Sequence, residues 1–242
     1  MMARRARWKT LALVLALLAL ALAGSSAAGP ASAQGRGPSD DVRASGSLDV
    51  SSSAIPTVAQ PLVTDSARSD TVLGPGSGKA VATAVSTSNC NGCSGSATAL
   101  QTVSVSSGAP AMADNAATAW SNCANCSSSA VSVQIVTGSS ASSVTANNRS
   151  LALNVACTSC TTTAVALQFV VIGGSQRALS ASTKALIKQI EQQLGIKLSV
   201  GPQNRTSVQK DADDAAAQAK SAIANDTKAA DVKTKVEVDS GH

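Results

Sequence analysis

Ala97-Thr-Ala-Leu-Gln101-Thr-Val103 follows a Cys-x-x-Cys element, and the same pattern returns as Ala130-Val-Ser-Val-Gln134-Ile-Val136 and as Ala164-Val-Ala-Leu-Gln168-Phe-Val170. The three cysteine pairs are Cys90/Cys93, Cys123/Cys126 and Cys157/Cys160, so the copies start 33 and 34 residues apart. A repeat this short cannot bury a core alone. The fold must therefore come from packing the copies against one another.

Small apolar and polar residues alternate after each cysteine pair, which is typical of β-strands. Residues 79–85, 116–120 and 151–155 lie upstream of the pairs and are the predicted partner strands. Asn91-Gly92 separates the first two cysteines, and this dipeptide is the strongest signal for a two-residue hairpin turn. We therefore predict a mainly β protein of three tandem antiparallel β-hairpin repeats, with Cys-x-x-Cys at the tips and a helical tail behind them. A meander, a sandwich and a stacked solenoid are all compatible with the repetition.

Residues 1–33 have the pattern of a signal peptide. Four basic residues precede an apolar run at 11–23, and Ala31-Ser-Ala33 supplies a small-residue cleavage site. A retained membrane anchor is the alternative, but the run is shorter than the ~20 residues of a spanning helix. We expect a secreted or cell-envelope protein with no membrane span after cleavage.

The basic character of the chain belongs mostly to this segment. The formal net charge of +5 falls to about +1 when the four basic residues of 1–33 are removed. The mature chain is therefore not predicted to bind nucleic acid. It has one tryptophan, Trp120, and one phenylalanine, Phe169, so its core must be built from Val, Ala, Leu and Ile.

Composition divides the rest of the chain into three parts. Residues 34–78 are rich in Gly, Ser, Asp and Pro and are predicted to be a disordered leader. Residues 79–175 hold three charged residues and are the predicted β-hairpin repeat domain. Residues 176–242 hold ten Lys/Arg and eight Asp/Glu and form a charged, mostly helical tail.

The tail begins with a predicted amphipathic helix at 183–194, capped by Ser182 and ended by Gly195, which we expect to pack on the repeat domain. Further elements are predicted as a short strand at 196–200, an Ala-rich helix at 207–230, and a strand or frayed helix at 232–238.

Six cysteines in an exported chain favour disulfides, and the predicted pairing is within each Cys-x-x-Cys. The first and last residues of a β-turn have Cα atoms under ~7 Å apart, a separation that a disulfide can bridge. A loop this short contributes about 2 kcal/mol for each link. Links between neighbouring tips are the alternative pairing.

Two other kinds of cysteine chemistry are open. Two Cys-x-x-Cys elements can form a tetrahedral zinc site, but three pairs leave one over and no histidine is close in sequence. Thiol-redox chemistry needs cations or a helix N-terminus to lower the thiol pKa, and Lys and Arg are absent near all three pairs. We predict neither a metal nor a cofactor.

The chain lacks the residues of the common hydrolytic sites. Its only histidine is His242, which excludes a His-Glu-x-x-His zinc site and argues against a His-activated nucleophile. Asp114 is the one carboxylate of the repeat region, so this region lacks the second carboxylate that a glycosidase site requires. We predict a non-enzymatic protein with no catalytic residues.

Two features have competing interpretations. Gln101, Gln134 and Gln168 hold the same place in each copy. They are either a row of ligands for a carbohydrate or peptide or, the favoured interpretation, structural residues that form an amide ladder between stacked repeats or face solvent from a strand. Trp120 is either an exposed binding anchor or, more commonly for such a residue, core filler.

The stretch Asn148-Arg-Ser-Leu-Ala-Leu-Asn-Val-Ala-Cys157-Thr-Ser-Cys160-Thr-Thr-Thr-Ala-Val-Ala-Leu-Gln168-Phe-Val-Val resembles the extracytoplasmic repeats of actinobacterial proteins labelled as peptide zinc metalloproteases. Those repeats also carry a Cys-x-x-Cys followed by an Ala-Val-Ala-x-Gln-x-Val strand and then a charged helical tail. The likeness covers roughly residues 79–235. The membrane-embedded protease part of that family has no counterpart here, so the resemblance implies a secreted envelope protein and no protease activity.

Two functional hypotheses follow. The first is a disulfide-stapled, non-enzymatic envelope or extracellular module that binds an unknown protein or cell-wall partner or self-associates, because strands with few charges are prone to edge pairing. The second is an exported thiol-redox or metal-handling protein that uses the three cysteine pairs.

Overall fold

The computed structural model describes residues 47–74, 78–106, 110–139, 142–174, 178–200, 203–229 and 231–241, all within one compact unit. The expected signal peptide, residues 1–33, lies outside the described residues, as does the first part of the expected leader, residues 34–46.

The described residues form nine strands and two helices. The strands are β1 (Ser47–Ala54), β2 (Leu62–Leu73), β3 (Gly78–Ser88), β4 (Ser94–Val105), β5 (Pro110–Ser121), β6 (Ser127–Gly138), β7 (Ser143–Asn154), β8 (Thr161–Ile172) and β9 (Lys233–Ser240). The helices are α1 (Ala181–Ser199) and α2 (Arg205–Thr227).

The first eight strands form a β-solenoid of four coils. Each coil is one odd-numbered strand, a corner, and the following even-numbered strand, so coil 1 is β1 with β2 and coil 4 is β7 with β8. Strands β1-β3-β5-β7 form sheet 1, and β2-β4-β6-β8-β9 form sheet 2. Every neighbouring pair is parallel except β8 with β9.

The prediction of antiparallel hairpins was wrong. The two strands that flank a Cys-x-x-Cys lie in different sheets, and each pairs in parallel with the equivalent strand of the next coil. Residues at the same place in the repeat are thereby stacked, as Gln101 is opposite Gln134 and Gln134 opposite Gln168. The Asn91-Gly92 signal does mark a turn, but φ is positive only at Gly92, and the turn joins two sheets instead of two paired strands.

The leader prediction was wrong for residues 47–73, which form coil 1. Its strands pair with coil 2 over their full lengths, so backbone hydrogen bonds order a stretch that has few apolar side chains. Pro56 and Pro61, which are poorly tolerated within long elements, lie in the corner between the two strands. Thr57 and Gln60 close that corner with two backbone hydrogen bonds of 3.0 Å, where the later coils carry cysteines.

The space between the sheets is filled by small side chains. One cluster consists entirely of alanines at its buried positions, and a second adds leucine and valine around Leu73, Val103 and Val136. Side chains of this size let two sheets approach closely, and they bury little area per residue. The core of small apolar residues that the composition predicted therefore lies inside the solenoid, between the two sheets.

The outer face of strands β4, β6 and β8 in sheet 2 carries the larger apolar residues and is covered by both helices. Val133, Leu167 and Phe169 pack there against Ile187 and Ile223, among others. The expected packing of the tail helix on the repeats is confirmed. Strands β4, β6 and β8 are thus buried on both faces, as is usual for parallel strands, whereas the outward side chains of β2 are exposed.

The helix bounds differ from those expected. Helix α1 is capped by Ser180, whose Oγ accepts from Thr183 N, and it continues through Gly195 to Ser199. Residues 196–200 were expected to be a strand but remain helical to Ser199, because the helix buries Leu198 completely. A Cβ on Gly195 would lie 3.0 Å from Thr98 Cγ2, so the glycine allows close packing here.

The chain ends on the solenoid. Helix α2 is capped by Asn204 and stops at Lys228, which is left-handed with φ 54°. Strand β9 then pairs antiparallel with β8, which decides between the strand and frayed-helix interpretations of residues 232–238. None of the helices among the described residues is long and apolar enough to cross a membrane.

Candidate functional site

The three cysteine pairs stack on one corner edge of the solenoid, between the two sheets. We call them rung 1 (Cys90/Cys93), rung 2 (Cys123/Cys126) and rung 3 (Cys157/Cys160). The Cα atoms within the rungs are 5.3, 5.9 and 5.9 Å apart, and the sulfurs of each rung are bonded to each other. Each rung therefore closes its own corner and does not link one coil to another.

The corners are held to one another by backbone hydrogen bonds that continue the stacking. Gly92 N donates to Ala124 O at 2.9 Å, and Asn125 N donates to Thr158 O at 2.8 Å. The Asn91 side chain adds a third bond, because its Oδ1 accepts from Ala124 N at 2.9 Å. These bonds fix the register of the rungs.

The third residue of each Cys-x-x-Cys has a positive φ. The values are 73° at Gly92, 54° at Asn125 and 55° at Ser159. Glycine and asparagine tolerate this conformation, whereas serine with its Cβ adopts it at a cost. The rung 3 corner also holds one more residue than the rung 2 corner, and Ala156 within it has φ 49°.

Exposure increases towards rung 3. One cysteine of rung 1 and one of rung 2 are nearly inaccessible, since Cys93 and Cys126 are 1% and 2% exposed. Both cysteines of rung 3 are partly exposed. The rung at the C-terminal end of the stack is therefore the one that a reagent in solution meets first.

The sulfurs lie against backbone carbonyl oxygens of the preceding corner. Cys157 Sγ and Cys160 Sγ are 3.0 and 2.9 Å from Cys123 O, and Cys123 Sγ is 3.1 Å from Ser88 O. A carbonyl oxygen repels a thiolate, so these contacts do not lower a thiol pKa as catalytic dithiols require.

One sulfur of rung 2 lies close to both sulfurs of rung 3. The sulfurs of Cys126, Cys157 and Cys160 all lie within 4.8 Å of one another. This is the one group of three metal-ligating side chains that the described part of the chain brings together. The sequence offered the spacing of the pairs but not this contact between neighbouring coils.

The glutamines form an amide ladder, which is one of the two structural interpretations expected, and they do not face solvent. Gln134 Nε2 donates to Gln101 Oε1 at 2.7 Å, and Gln168 Nε2 donates to Gln134 Oε1 at 2.8 Å. The same amides reach across the interior to carbonyl oxygens of sheet 1, including Ala80 O at 3.3 Å and Ala113 O at 3.0 Å. The ladder thus ties the two sheets together and is buried, so it is not a row of surface ligands.

Two asparagines of sheet 1 also tie the two sheets together. The sequence analysis did not identify them. Asn115 Nδ2 donates to Asn148 Oδ1 at 2.8 Å and to Leu167 O of sheet 2 at 3.0 Å. Asn148 Nδ2 donates to Ala166 O at 2.7 Å. The available signal was the 33-residue spacing of Asn115 and Asn148, which matches the repeat.

The outer face of sheet 1 differs from that of β4, β6 and β8, because its apolar side chains are open to solvent. Leu151, Leu153 and Val155 are 46, 45 and 43% exposed. Trp120 lies beside Leu153 in the register and points the same way, since its neighbour Ala119 is part of the interior. Trp120 is thus partly exposed on a surface and is not core filler. We call Trp120, Leu151, Leu153 and Val155 the apolar strip.

A polar group lies further along the same face. Asp114 is 6% exposed, its Oδ2 is 2.8 Å from Lys79 Nζ, and its Oδ1 accepts from Asn147 Nδ2 at 2.8 Å. The hydrogen bond from Lys79 and then that from Asn147 lower the pKa of the Asp114 carboxyl. This carboxylate is therefore fully used by structural partners.

Helix α1 is fastened to the solenoid by an ion pair that sequence reasoning also missed. Glu191 is 1% exposed, and its Oε2 accepts from Arg68 Nη2 of β2 at 3.2 Å. Burial raises the pKa of Glu191, and the Arg68 charge opposes this only in part. The two residues are 123 positions apart, so no local pattern points to the pair.

No family model, curated protein or solved structure matches the chain.

Proposed function

We propose that this chain is an exported, disulfide-stapled, non-enzymatic module of the cell envelope or extracellular space, which binds a protein or cell-wall partner or a second copy of itself. The observation that carries the proposal is the difference between the two outer faces. Strands β4, β6 and β8 of sheet 2 are covered by α1 and α2, whereas the apolar strip on sheet 1 is exposed. Exposed apolar patches on stable bodies are typical of interaction sites.

The stapled corners support the same proposal. Three covalent links next to an interior of alanines make a rigid body that resists unfolding, at about 2 kcal/mol for each four-residue loop. Disulfides are also compatible with an oxidising extracellular location. The resemblance of residues 148–171 to extracytoplasmic repeats supports the envelope assignment and carries no activity with it.

An exported thiol-redox or metal-handling protein is the second candidate. The contact of three sulfurs favours its metal-handling form. The carbonyl oxygens around the sulfurs do not favour its redox form, because they give no stabilisation to a thiolate. Thiol titration of the exported protein with and without reductant, together with metal analysis, separates the two candidates. Six thiols that appear only after reduction, with no metal, support the stapled module.

Binding through sheet 1 is tested with paired surface variants. Trp120→Ser with Leu153→Ser changes the apolar strip, whereas the control Leu186→Ser changes a side chain on α1 that is equally exposed, at 45%. We expect the double variant to lose sedimentation with isolated cell wall, capture of envelope proteins, or self-association, whichever the parent protein has. The control should retain it. A parent protein that is strictly monomeric and binds neither cell wall nor envelope proteins contradicts the proposal.

A further inference from the structure

We infer that the reduced protein binds one soft, thiophilic metal ion of the Cu(I) class through Cys126, Cys157 and Cys160. The three sulfurs come from two neighbouring coils and lie within 4.8 Å of one another. Thiolates select soft ions such as Cu(I) over harder cations. The inference does not depend on the proposed function, because a stapled module without this site is equally compatible with it.

The distances fit three-coordinate binding. In the oxidised structure Cys157 Sγ and Cys160 Sγ are bonded to each other, and Cys126 Sγ lies within 4.8 Å of both. Three sulfurs held at about 2.3 Å around one ion are about 4.0 Å apart, so the two sulfurs of rung 3 must separate to that distance once their disulfide is opened, whereas Cys126 Sγ is already at a comparable distance from them. Rung 1 has no place in the cluster, since neither of its sulfurs is among the three.

The register of the solenoid preorganises the site. Cys126 belongs to the corner of coil 3, and Cys157 and Cys160 to the corner of coil 4. Asn125 N donates to Thr158 O at 2.8 Å between these corners, and Thr161 N donates to Cys126 O at 2.9 Å. These bonds do not involve sulfur, so they hold the two corners together after the disulfides are opened.

The site exists only in the reduced protein, which makes it redox-gated. Each disulfide takes two electrons and two protons from a dithiol reductant, and the reductant leaves as its own disulfide. Binding of Cu(I) then displaces the protons of the three thiols and forms three Cu–S bonds. Reduction can begin at rung 3, whose cysteines are both partly exposed, and rung 2 follows as the more buried of the two.

The test uses Cu(I) with the exported chain after anaerobic reduction by a phosphine and its removal. The protein is titrated against a coloured Cu(I) chelator, and the sulfur coordination is measured by X-ray absorption. We expect one tightly held Cu(I) per chain with three sulfurs, and none for the oxidised protein. Replacing one ligand, as in Cys126→Ser or Cys157→Ser, should weaken binding about 100-fold or more, since even neighbours of metal ligands contribute 10–100-fold.

The matched control is the double variant Cys90→Ser with Cys93→Ser, which removes rung 1 and should bind Cu(I) like the parent protein. Equal losses from rung 1 and rung 2 variants would mean that each pair binds on its own and would overturn the inference. A two-sulfur linear coordination would overturn it too. So would loss of the β-sheet circular dichroism signal on reduction, because the cluster requires stacked corners.

Discussion

Asp65 and Asp239 occupy the two ends of one inward-facing row of the solenoid. The register runs from Asp65 through Ala97, Ala130 and Ala164 to Asp239. Each aspartate accepts a backbone N–H of an edge strand of sheet 1: Asp65 Oδ2 from Ser53 N at 2.7 Å, and Asp239 Oδ2 from Ala152 N at 2.9 Å. Inward charges at the ends of a stack obstruct the addition of further strands, so the same chemistry closes both ends.

Replacing Asp239 by alanine should therefore weaken the C-terminal end of the solenoid. Ala152 is 4% exposed, so its N–H would be left buried without an acceptor, at a cost of about 1–3 kcal/mol in the free energy of unfolding. The dimer fraction should also rise, since the row would end in an apolar residue. Urea unfolding and sedimentation measure the two effects. Asp239→Asn keeps an acceptor oxygen and is the control, and equal stability of the Ala and parent proteins would contradict the role of Asp239.

The glutamine ladder predicts unequal costs at its centre and its end. Gln134→Leu leaves Gln101 Oε1 buried without its donor, which should cost about 1–3 kcal/mol. Gln168→Leu similarly deprives Gln134 Oε1, but it also removes the Gln168 Oε1, a buried oxygen that has no hydrogen-bond partner. We therefore expect Gln168→Leu to be the milder change by about 1 kcal/mol. Chemical denaturation of both variants measures this, and equal costs would show that the end of the ladder is not special.

Stacking of equivalent residues was predictable, whereas the partner of each strand was not. A residue such as Gln134 that recurs at a fixed period is placed beside its equivalents when repeats stack, and this is why an amide ladder was among the expected interpretations. Alternation identifies a strand but is the same in a hairpin and in a solenoid coil. The prediction of hairpins therefore depended on the turn signal at Asn91-Gly92, which does not show whether the flanking strands pair with each other. The better signal was present: Ala97 and Leu100 lie on opposite faces and both are apolar, as parallel strands buried on both sides require.

Coil 1 and the ion pair could not be found from local patterns. Coil 1 has polar residues on its outer face, so its sequence lacks the apolar pattern of a buried strand. Its prolines suggest irregular structure, and only the structure shows that they lie in the corner between β1 and β2. Arg68 and Glu191 meet because α1 crosses the outer face of sheet 2, which depends on tertiary packing. The same is true of the contact between Cys126 and rung 3, since it depends on the parallel stacking that the hairpin prediction lacked.

The stability of the protein should depend on pH through Glu191. Burial raises the folded pKa of Glu191 above its ordinary value of 4.5, so between the ordinary and the folded pKa the folded state binds more protons than the unfolded state. The contribution of Glu191 to stability is therefore fully present below pH 4.5 and is lost as pH rises through the folded pKa. The Glu191→Gln side chain cannot titrate. The stability of this variant relative to the parent protein should therefore increase from about pH 4 to about pH 8.

Urea unfolding at a series of pH values measures this difference. Arg68→Gln is the companion variant, because loss of the Arg68 charge removes an interaction that lowers the Glu191 pKa. That variant should lose more stability in total as pH rises than the parent protein, because a higher folded pKa extends the pH range over which the folded state holds the extra proton. Parallel pH profiles for the parent protein and Glu191→Gln would contradict the assignment.

The left-handed residues of the third corner should gain stability from glycine. Ala156 and Ser159 have φ of 49° and 55°, a conformation that costs residues with a Cβ about 1–2 kcal/mol. Glycine removes this strain but adds about 0.4–1 kcal/mol of unfolded-state entropy, so Ala156→Gly and Ser159→Gly should each stabilise by about 0.5–1 kcal/mol. Thr158→Gly is the control, because Thr158 is not left-handed and its replacement should destabilise by about 0.5–1 kcal/mol. Thermal unfolding of the oxidised variants compares them, and a Ser159→Gly protein as unstable as Thr158→Gly would mean that Ser159 does not hold a positive φ.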